Sequence, residues 1–161
     1  MRFNFPLLLV LLFLSFPSFG LTIYDLIERD SLYYEKFTDV PFSGEIDEGL
    51  ERGELEDGKR EGPWVGYWDN GQLWIKGAYK NGKHEGPWVF YWKNGQLHSK
   101  GVFKDGKEEG PWVEYWDNGQ LRYKGAYKNG KQEGPHISYN IDGSIDTKET
   151  GTFKDGNKIS D

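Results

Sequence analysis

The chain has 161 residues, with 22 Gly, 7 Trp, 10 Tyr and 10 Phe, no Cys and a formal charge of −6. The absence of cysteine excludes a disulfide framework, a thiolate metal site and a cysteine nucleophile. The aromatic content argues against disorder, the glycines lack the period of collagen, and the acidic balance leaves no basic footprint for nucleic acid.

Residues 1–20, MRFNFPLLLVLLFLSFPSFG, differ from everything that follows. Arg2 supplies a short positive segment, residues 7–14 an unbroken apolar run, and Ser18 and Gly20 small residues ahead of a cleavage point before Leu21. Together they predict a secretory signal peptide that is removed. A membrane anchor needs roughly 20 apolar residues, and Pro17 and Ser18 end the run short of that. The expected location is exported, periplasmic or extracellular, with no integral membrane span after cleavage. Without disulfides the exported chain must rely on packing. Residues 21–39 then form an N-terminal cap. Thr22 three residues ahead of Asp25, with Ile23, Leu26 and Ile27 apolar, predicts one short helix there, followed by a strand.

From residue 40 onward the sequence repeats. Gly-Pro-Trp recurs at Gly62-Pro63-Trp64, Gly86-Pro87-Trp88 and Gly110-Pro111-Trp112, a period of 24, and Gly134-Pro135-His136 is a fourth copy. Val40-Pro41-Phe42-Ser43-Gly44 is a degenerate copy ahead of them, and an insertion lies between Ser144 and Thr150. Asn-Gly or Asp-Gly places a glycine at 58, 71, 82, 95, 106, 119, 130, 143 and 156. These dipeptides favour type I′ hairpin turns, and turns this close leave no room for helices or parallel crossovers. Proline cannot donate to a ladder, so the long arm should bend or bulge at each Gly-Pro. The expected fold of residues 40–161 is all-β, an antiparallel meander of repeated β-hairpins. It forms an elongated twisted sheet that each repeat lengthens by roughly 10 Å.

Period-2 alternation sorts the side chains into two faces. Val65/Tyr67, Val89/Tyr91, Val113/Tyr115 and Ile137/Tyr139 share one face of the first strand, and Leu73/Ile75/Gly77/Tyr79 with their copies line the second. Their constancy among the copies reads as the packing face, each constant Gly making room for a neighbouring ring. The other face carries Trp64/Gly66/Trp68, Trp88/Phe90/Trp92 and Trp112/Glu114/Trp116, and its middle position wanders as a tight core would not. Six half-exposed Trp would exceed the apolar patch of an ordinary monomer. Trp64, Trp68, Trp88, Phe90, Trp92, Trp112 and Trp116 are therefore the candidate partner-binding residues. The competing reading is that the rings stack between repeats and their indole N–H groups find carbonyls. In the last copy His136/Ser138/Asn140 reads as the polar cap that a repeat array needs.

The unit Glu-Gly-Pro-Trp-x-x-Tyr-Trp-x-Asn-Gly-Gln-Leu-x-x-Lys-Gly-x-Tyr-Lys-Asn-Gly-Lys resembles the MORN repeat in its bacterial variant form. Residues 30–44, DSLYYEKFTDVPFSG, resemble the leader found on exported members of that group. The resemblance implies an antitoxin of a toxin–antitoxin pair, or the scaffolding, self-association or membrane contact credited to MORN proteins at large.

Charged residues also repeat: Glu61, Glu85, Glu109 and Glu133 in one slot, Lys59, Lys83, Lys107 and Lys131 in another, and Lys76, Lys100 and Lys124 in a third. Catalytic carboxylates must be tuned apart, so identical acids at each repeat read as a solvated face with cross-strand pairs. His84, His98 and His136 fall in three different slots without metal-ligand spacing, and His84 shares its slot with Arg60, Glu108 and Gln132, which reads as variable surface. No nucleophile elbow, P-loop or dinucleotide fingerprint is present. No catalytic residue, metal ligand or cofactor is assigned. The expected function is a non-enzymatic exported repeat protein that binds a protein partner, a toxin in the version the resemblance implies, through its sheet surface. A carbohydrate or cell-envelope module using the Trp ladders and a self-associating scaffold are the two other readings, and no nucleic-acid partner is expected.

Overall fold

The computed structural model describes residues 20–161, so the expected signal peptide lies outside the described residues except for Gly20. A single 3-10 turn, Ile23–Asp25, leads into a small hairpin, β1 (Leu26–Arg29) and β2 (Leu32–Glu35). The array follows as β3 (Gly44–Ile46), β4 (Glu51–Glu56), β5 (Lys59–Tyr67), β6 (Leu73–Lys80), β7 (Lys83–Tyr91) and β8 (Leu97–Lys104). It continues as β9 (Lys107–Glu108), β10 (Gly110–Tyr115), β11 (Leu121–Lys128), β12 (Lys131–Gln132), β13 (Gly134–Ser138), β14 (Gly151–Lys154) and β15 (Asn157–Ser160). Strands β3 to β15 form one 13-stranded antiparallel sheet that runs in chain order, with the short β9 and β12 pairing β8 and β11 beside β10 and β13. The expected all-β meander is what the chain builds. Among the described residues no helix is long and apolar enough to cross a membrane.

Two turn chemistries alternate along it. At Asp57-Gly58, Asn81-Gly82, Asp105-Gly106, Asn129-Gly130 and Asp155-Gly156 both residues have positive φ, 47–52° and then 75–84°. These are the expected type I′ turns. At Gly71, Gly95, Gly119 and Gly143 only the glycine is left-handed, so the expectation of a type I′ turn fails there. Gly71 N–H donates to Trp68 O at 2.9 Å and Trp68 N–H to Gln72 O at 2.7 Å, closing a three-residue loop with the glycine last. The additional loop residue, Asp69 in this copy, lets an ordinary turn precede a glycine bulge. The ladder then skips one residue: Gly66 faces Ile75 and Tyr67 faces Leu73, leaving Trp74 as the extra residue. His98 and Arg122 occupy the same position in the next two hairpins.

The expected bend at Gly-Pro is present. Gly62, Gly86, Gly110 and Gly134 have φ of 67–79°. The ladder between β6 and β7 shifts register between Lys76 and Ala78. In the later copies the strand breaks before the Gly-Pro, separating β9 from β10 and β12 from β13.

The core lies on the face opposite to the one expected for the first strand. Trp64, Trp88, Trp112 and His136 are 1%, 0%, 6% and 1% exposed. Trp64 pairs directly with Gly77, Trp88 with Gly101 and Trp112 with Gly125, and directly paired residues share a face. The tryptophans therefore stand with Ile75, Gly77 and Tyr79, while Val65 faces Lys76 on the other side. The expected packing face of the second strand holds for Ile75, Gly77 and Tyr79, but the bulge sets Leu73 opposite Tyr67 on the other side, and the expected faces of the first strand are inverted. Each constant glycine does make room for a ring: a Cβ at Gly53, Gly77, Gly101 or Gly125 would overlap Trp64, Trp88, Trp112 or His136, the ring of the following hairpin. The result is one continuous aromatic row, Trp64–Tyr79 (5.6 Å between centroids), Tyr79–Trp88 (5.0 Å), Trp88–Phe103 (6.3 Å), Phe103–Trp112 (5.4 Å), Trp112–Tyr127 (6.2 Å), Tyr127–His136 (5.8 Å) and His136–Phe153 (5.0 Å). Edge-on pairs of this kind contribute about 0.5–1.5 kcal/mol each beyond their buried area. At its N-terminal end the row meets the aliphatic residues Ile23, Leu26, Ile46 and Leu55.

The expected cap helix is only the one 3-10 turn, where Asp25 Oδ2 accepts from the Thr22 hydroxyl (2.7 Å) and backbone N–H (3.0 Å). The degenerate copy at 40–44 behaves as a repeat. Gly58 N–H donates to Phe42 O and Asp57 N–H to Ser43 Oγ, as Gly82 N–H does to Arg60 O and Asn81 N–H to the Glu61 carboxylate.

Candidate binding surfaces of the sheet

The indole N–H groups account for where the tryptophans sit. Trp64 donates to Glu51 Oε2 (3.0 Å), Trp88 to Ala78 O (3.0 Å) and Trp112 to Glu114 Oε1 (3.2 Å). Trp68, Trp92 and Trp116 donate to Tyr91 O, Tyr115 O and Tyr139 O at 3.1–3.2 Å, each 23 residues ahead. Of the seven candidate contact residues, Trp64, Trp88 and Trp112 are buried and present no surface to a partner. Phe90 is half-buried against Trp88 (5.8 Å). Trp68, Trp92 and Trp116 are half-buried at the edge of the core, beside the bulge residues Trp74 (5.6 Å), His98 (4.1 Å) and Arg122 (5.0 Å). Stacking between repeats, with the N–H groups satisfied, is thus the arrangement found.

Two other expectations are corrected. The glutamate row does not form cross-strand ion pairs: Glu61, Glu85, Glu109 and Glu133 accept from the backbone N–H of Asn81, Asp105, Asn129 and Asp155 at 2.6–3.1 Å. An N–H at the start of a tight turn has no ladder partner, so the preceding repeat supplies one. His84 is not a surface position. Its ring lies 4.0 Å from Trp88 and 4.9 Å from both Tyr79 and Phe103, and Nε2 is 3.1 Å from the Tyr79 hydroxyl. Burial, and then the charge of Arg60, hold its pKa below the ordinary histidine value.

With the rings turned inward, the other side of the sheet is the open one. It repeats exposed prolines (Pro63, Pro87, Pro111) and half-buried β-branched residues (Val65, Val89, Val113). Alongside run exposed cations, Arg52, Lys76, Lys100 and Lys124. None of these four forms an ion pair with a described residue. A groove of about 610 Å³ runs over two hairpins between Pro87, Val89, Lys100, Pro111, Val113 and Lys124. A smaller one, about 290 Å³, repeats the pattern at Arg52, Pro63, Val65 and Lys76.

Residues 60–81, 85–105 and 108–129 match the family described as MORN repeat variant. These three stretches, at the centre of the chain, are what is similar to that family. No curated protein matches it. The matched stretches contain the paired Trp and Gly, the turn-capping Glu61, Glu85 and Glu109 and the Lys of the outer row, and the larger groove lies across the second and third of them. Among the described residues no group of His, Cys, Asp or Glu is placed to hold a metal ion.

Sequence periodicity assigned the buried face of the first strand wrongly because alternation separates two faces without saying which is buried. One signal decides it. A three-residue loop at 69–71 sets Trp64 opposite Gly77, and a large ring opposite a constant glycine belongs to the packed side.

Proposed function

We propose that the chain is an exported, non-enzymatic binding protein that docks a protein partner along the outer face of its MORN array. The observation that supports this is the row of unpaired Lys76, Lys100 and Lys124 beside apolar grooves, on a chain whose overall charge is −6. Cations stepping by roughly 10 Å against an apolar floor suit an extended segment with spaced carboxylates, and complementary charge of this kind sets specificity and encounter rate. In the version implied by the family resemblance the partner is a toxin met outside the cytoplasm, neutralised by a complementary surface.

The test is affinity capture by the exported chain in parallel with a Lys76→Glu/Lys100→Glu/Lys124→Glu variant and a Trp92→Ala variant. The triple variant loses a partner that Trp92→Ala retains, and the retained complex weakens with salt. A partner held equally by the triple variant sinks the outer-face reading. Toxin neutralisation requires that the captured protein arrest growth when expressed alone and not when coexpressed. Export requires that the recovered protein begin at Leu21; an uncleaved chain in the cytoplasm overturns it.

A further inference from the structure

We propose that the cavity between the last MORN hairpin and the terminal hairpin binds a single pyranose ring. This site is on the core side of the sheet and is independent of the outer-face surface.

The cavity arises where the array stops filling its own space. The slot held by Phe90 is Ser138 in the terminal copy, and the slot of Trp68, Trp92 and Trp116 is Asn140. The rings of Trp116, Tyr127 and Tyr139 remain, Tyr123 stands where Ile75 and Ser99 stand in earlier copies, and together they surround a space of about 410 Å³. That volume lies in the range of small-ligand pockets, about 300–1,000 Å³. A polar cap alone needs only solvent-facing side chains; it does not need three tyrosines and a tryptophan kept around a void.

Arg122, Glu114, Gln132, Asn140 and Asp146 in the wall are held in place by the protein. The Arg122 guanidinium sits 2.7 Å from Glu114 Oε2 and 5.0 Å over the Trp116 ring, while Glu114 Oε1 takes the Trp112 indole N–H. Gln132 Nε2 donates to the Tyr123 hydroxyl at 3.3 Å. Asn140 Nδ2 donates to Ser144 Oγ (3.0 Å), which leaves its carbonyl oxygen free. Asp146 Oδ1 accepts the Lys148 N–H (3.0 Å), and its second oxygen and the Glu149 carboxylate have no partner among the described residues. The wall thus offers fixed donors on one side, from Arg122, and spare acceptors on the other, from Asn140, Asp146 and Glu149.

This inventory selects the ligand class. An anion meets three carboxylates, and a cation meets Arg122 where it already covers the Trp116 ring. A neutral polyol supplies vicinal hydroxyls, each donor and acceptor at once, together with the apolar face of a sugar ring that lies against an aromatic wall. Fixed planar partners lower the cost of ordering on binding.

The experiment follows the Trp116 indole N–H signal by NMR in the full described chain during titration with glucose, galactose and N-acetylglucosamine. Tetramethylammonium and inorganic phosphate are titrated in parallel. At least one hexose should shift this signal saturably, with a Kd on the order of 1 mM. Its methyl glycosides distinguish a glycan-borne unit, which binds as well as the free sugar, from a free sugar that needs its anomeric hydroxyl. Ser138→Phe and Asn140→Trp restore the array's own residues and fill the space; each should weaken binding at least tenfold, as should Glu149→Ala, which lies on an exposed loop. The outer-face triple Lys variant should bind the sugar unchanged. The proposal is overturned if no hexose moves the signal, if tetramethylammonium or phosphate moves it instead, or if both filled variants bind as tightly as the parent.

Discussion

The two halves of the array use one backbone and fill it differently. In the first half Tyr79, His84, Trp88, Phe90 and Phe103 crowd one another with centroid separations of 4.0–6.5 Å. Two repeats on, the corresponding slots hold Tyr127, Gln132, His136, Ser138 and Phe153, and a cavity of about 410 Å³ opens beside Tyr127, Gln132 and Ser138. The turns, the Gly-Pro bends and the glutamate caps are the same in both. Backbone satisfaction is thus carried by a few invariant positions, and the remaining core slots are free to be packed or hollow. Each hairpin contacts only its neighbours, so one hollow unit does not unfold the rest.

The sharpest way to break this comparison is to remove a ring from each half. Trp88 is fully buried and touches four aromatic neighbours. Trp88→Ala should cost about 3–5 kcal/mol, whereas His136→Ala, a smaller ring beside the terminal hairpin, should cost about 2 kcal/mol. Denaturant unfolding of both variants measures this. Equal losses would mean that the halves are packed alike. Next in size is the added methyl. Gly77→Ala forces its Cβ into the Trp88 ring, which is hemmed in by Tyr79 and His84, and should cost about 3 kcal/mol. Gly125→Ala meets His136 instead, a smaller ring, and should cost about 1 kcal/mol. A Gly125→Ala loss as large as that of Gly77→Ala would show that the C-terminal half has no room to relax.

The same contrast shows what was legible in the sequence. The hairpin clock, the bends at Gly-Pro and the need for glycine beside a ring follow from short-range chemistry, since Asn-Gly and Gly-Pro restrict φ and hydrogen bonding wherever they stand. The buried side of the first strand was not read correctly, because the wandering slot Gly66, Phe90, Glu114, Ser138 suggested exposure. It wanders because its surroundings differ: a Cβ at Gly66 would meet Ile75 and Trp74, Phe90 packs on Trp88, and Glu114 and Ser138 border the cavity. The glutamate caps were also hidden, as each links residues 20 or 22 positions apart across a repeat boundary. The cavity at the end was read only as a polar cap, for its walls come from two hairpins that the sequence does not juxtapose.

A smaller effect tests how tightly successive loops are joined. Asn70 and Asn94 Nδ2 donate to Lys93 O (2.8 Å) and Asp117 O (2.7 Å) in the next loop, whereas Asn118 Nδ2 turns back to Gln120 Oε1. Asn94→Asp loses a donor and faces a carbonyl, which should cost about 1 kcal/mol. Asn118→Asp should cost less than half as much, and Asn81→Asp, in a turn slot that already holds Asp in other copies, should be neutral within about 0.5 kcal/mol. Thermal unfolding that ranks Asn118→Asp with Asn94→Asp would mean the loop ladder runs the full length.

The smallest effects carry opposite signs in the two halves. In the first, burial and then Arg60 lower the pKa of His84, so the unfolded chain takes the proton first. Its stabilising contribution is complete above the unfolded value of 6.5 and is lost as pH falls through the folded value. In the second, burial and then the Glu114 charge raise the pKa of Glu108 above 4.5, so the unfolded chain releases its proton first. That contribution is complete below 4.5 and is lost as pH rises through the folded value. Gln132 already occupies this slot in the next repeat, which makes glutamine the natural replacement for both. His84→Gln should flatten the decline of stability on acidification from about pH 7 to pH 5, whatever its packing cost at neutral pH. Glu108→Gln should raise the midpoint at neutral pH by about 2 °C and leave it unchanged in acid, where the carboxyl is neutral in either state. A Glu108→Gln gain that persists in acid would assign the effect to packing, and the hollow half would then be limited by its shape rather than by the two carboxylates it holds together.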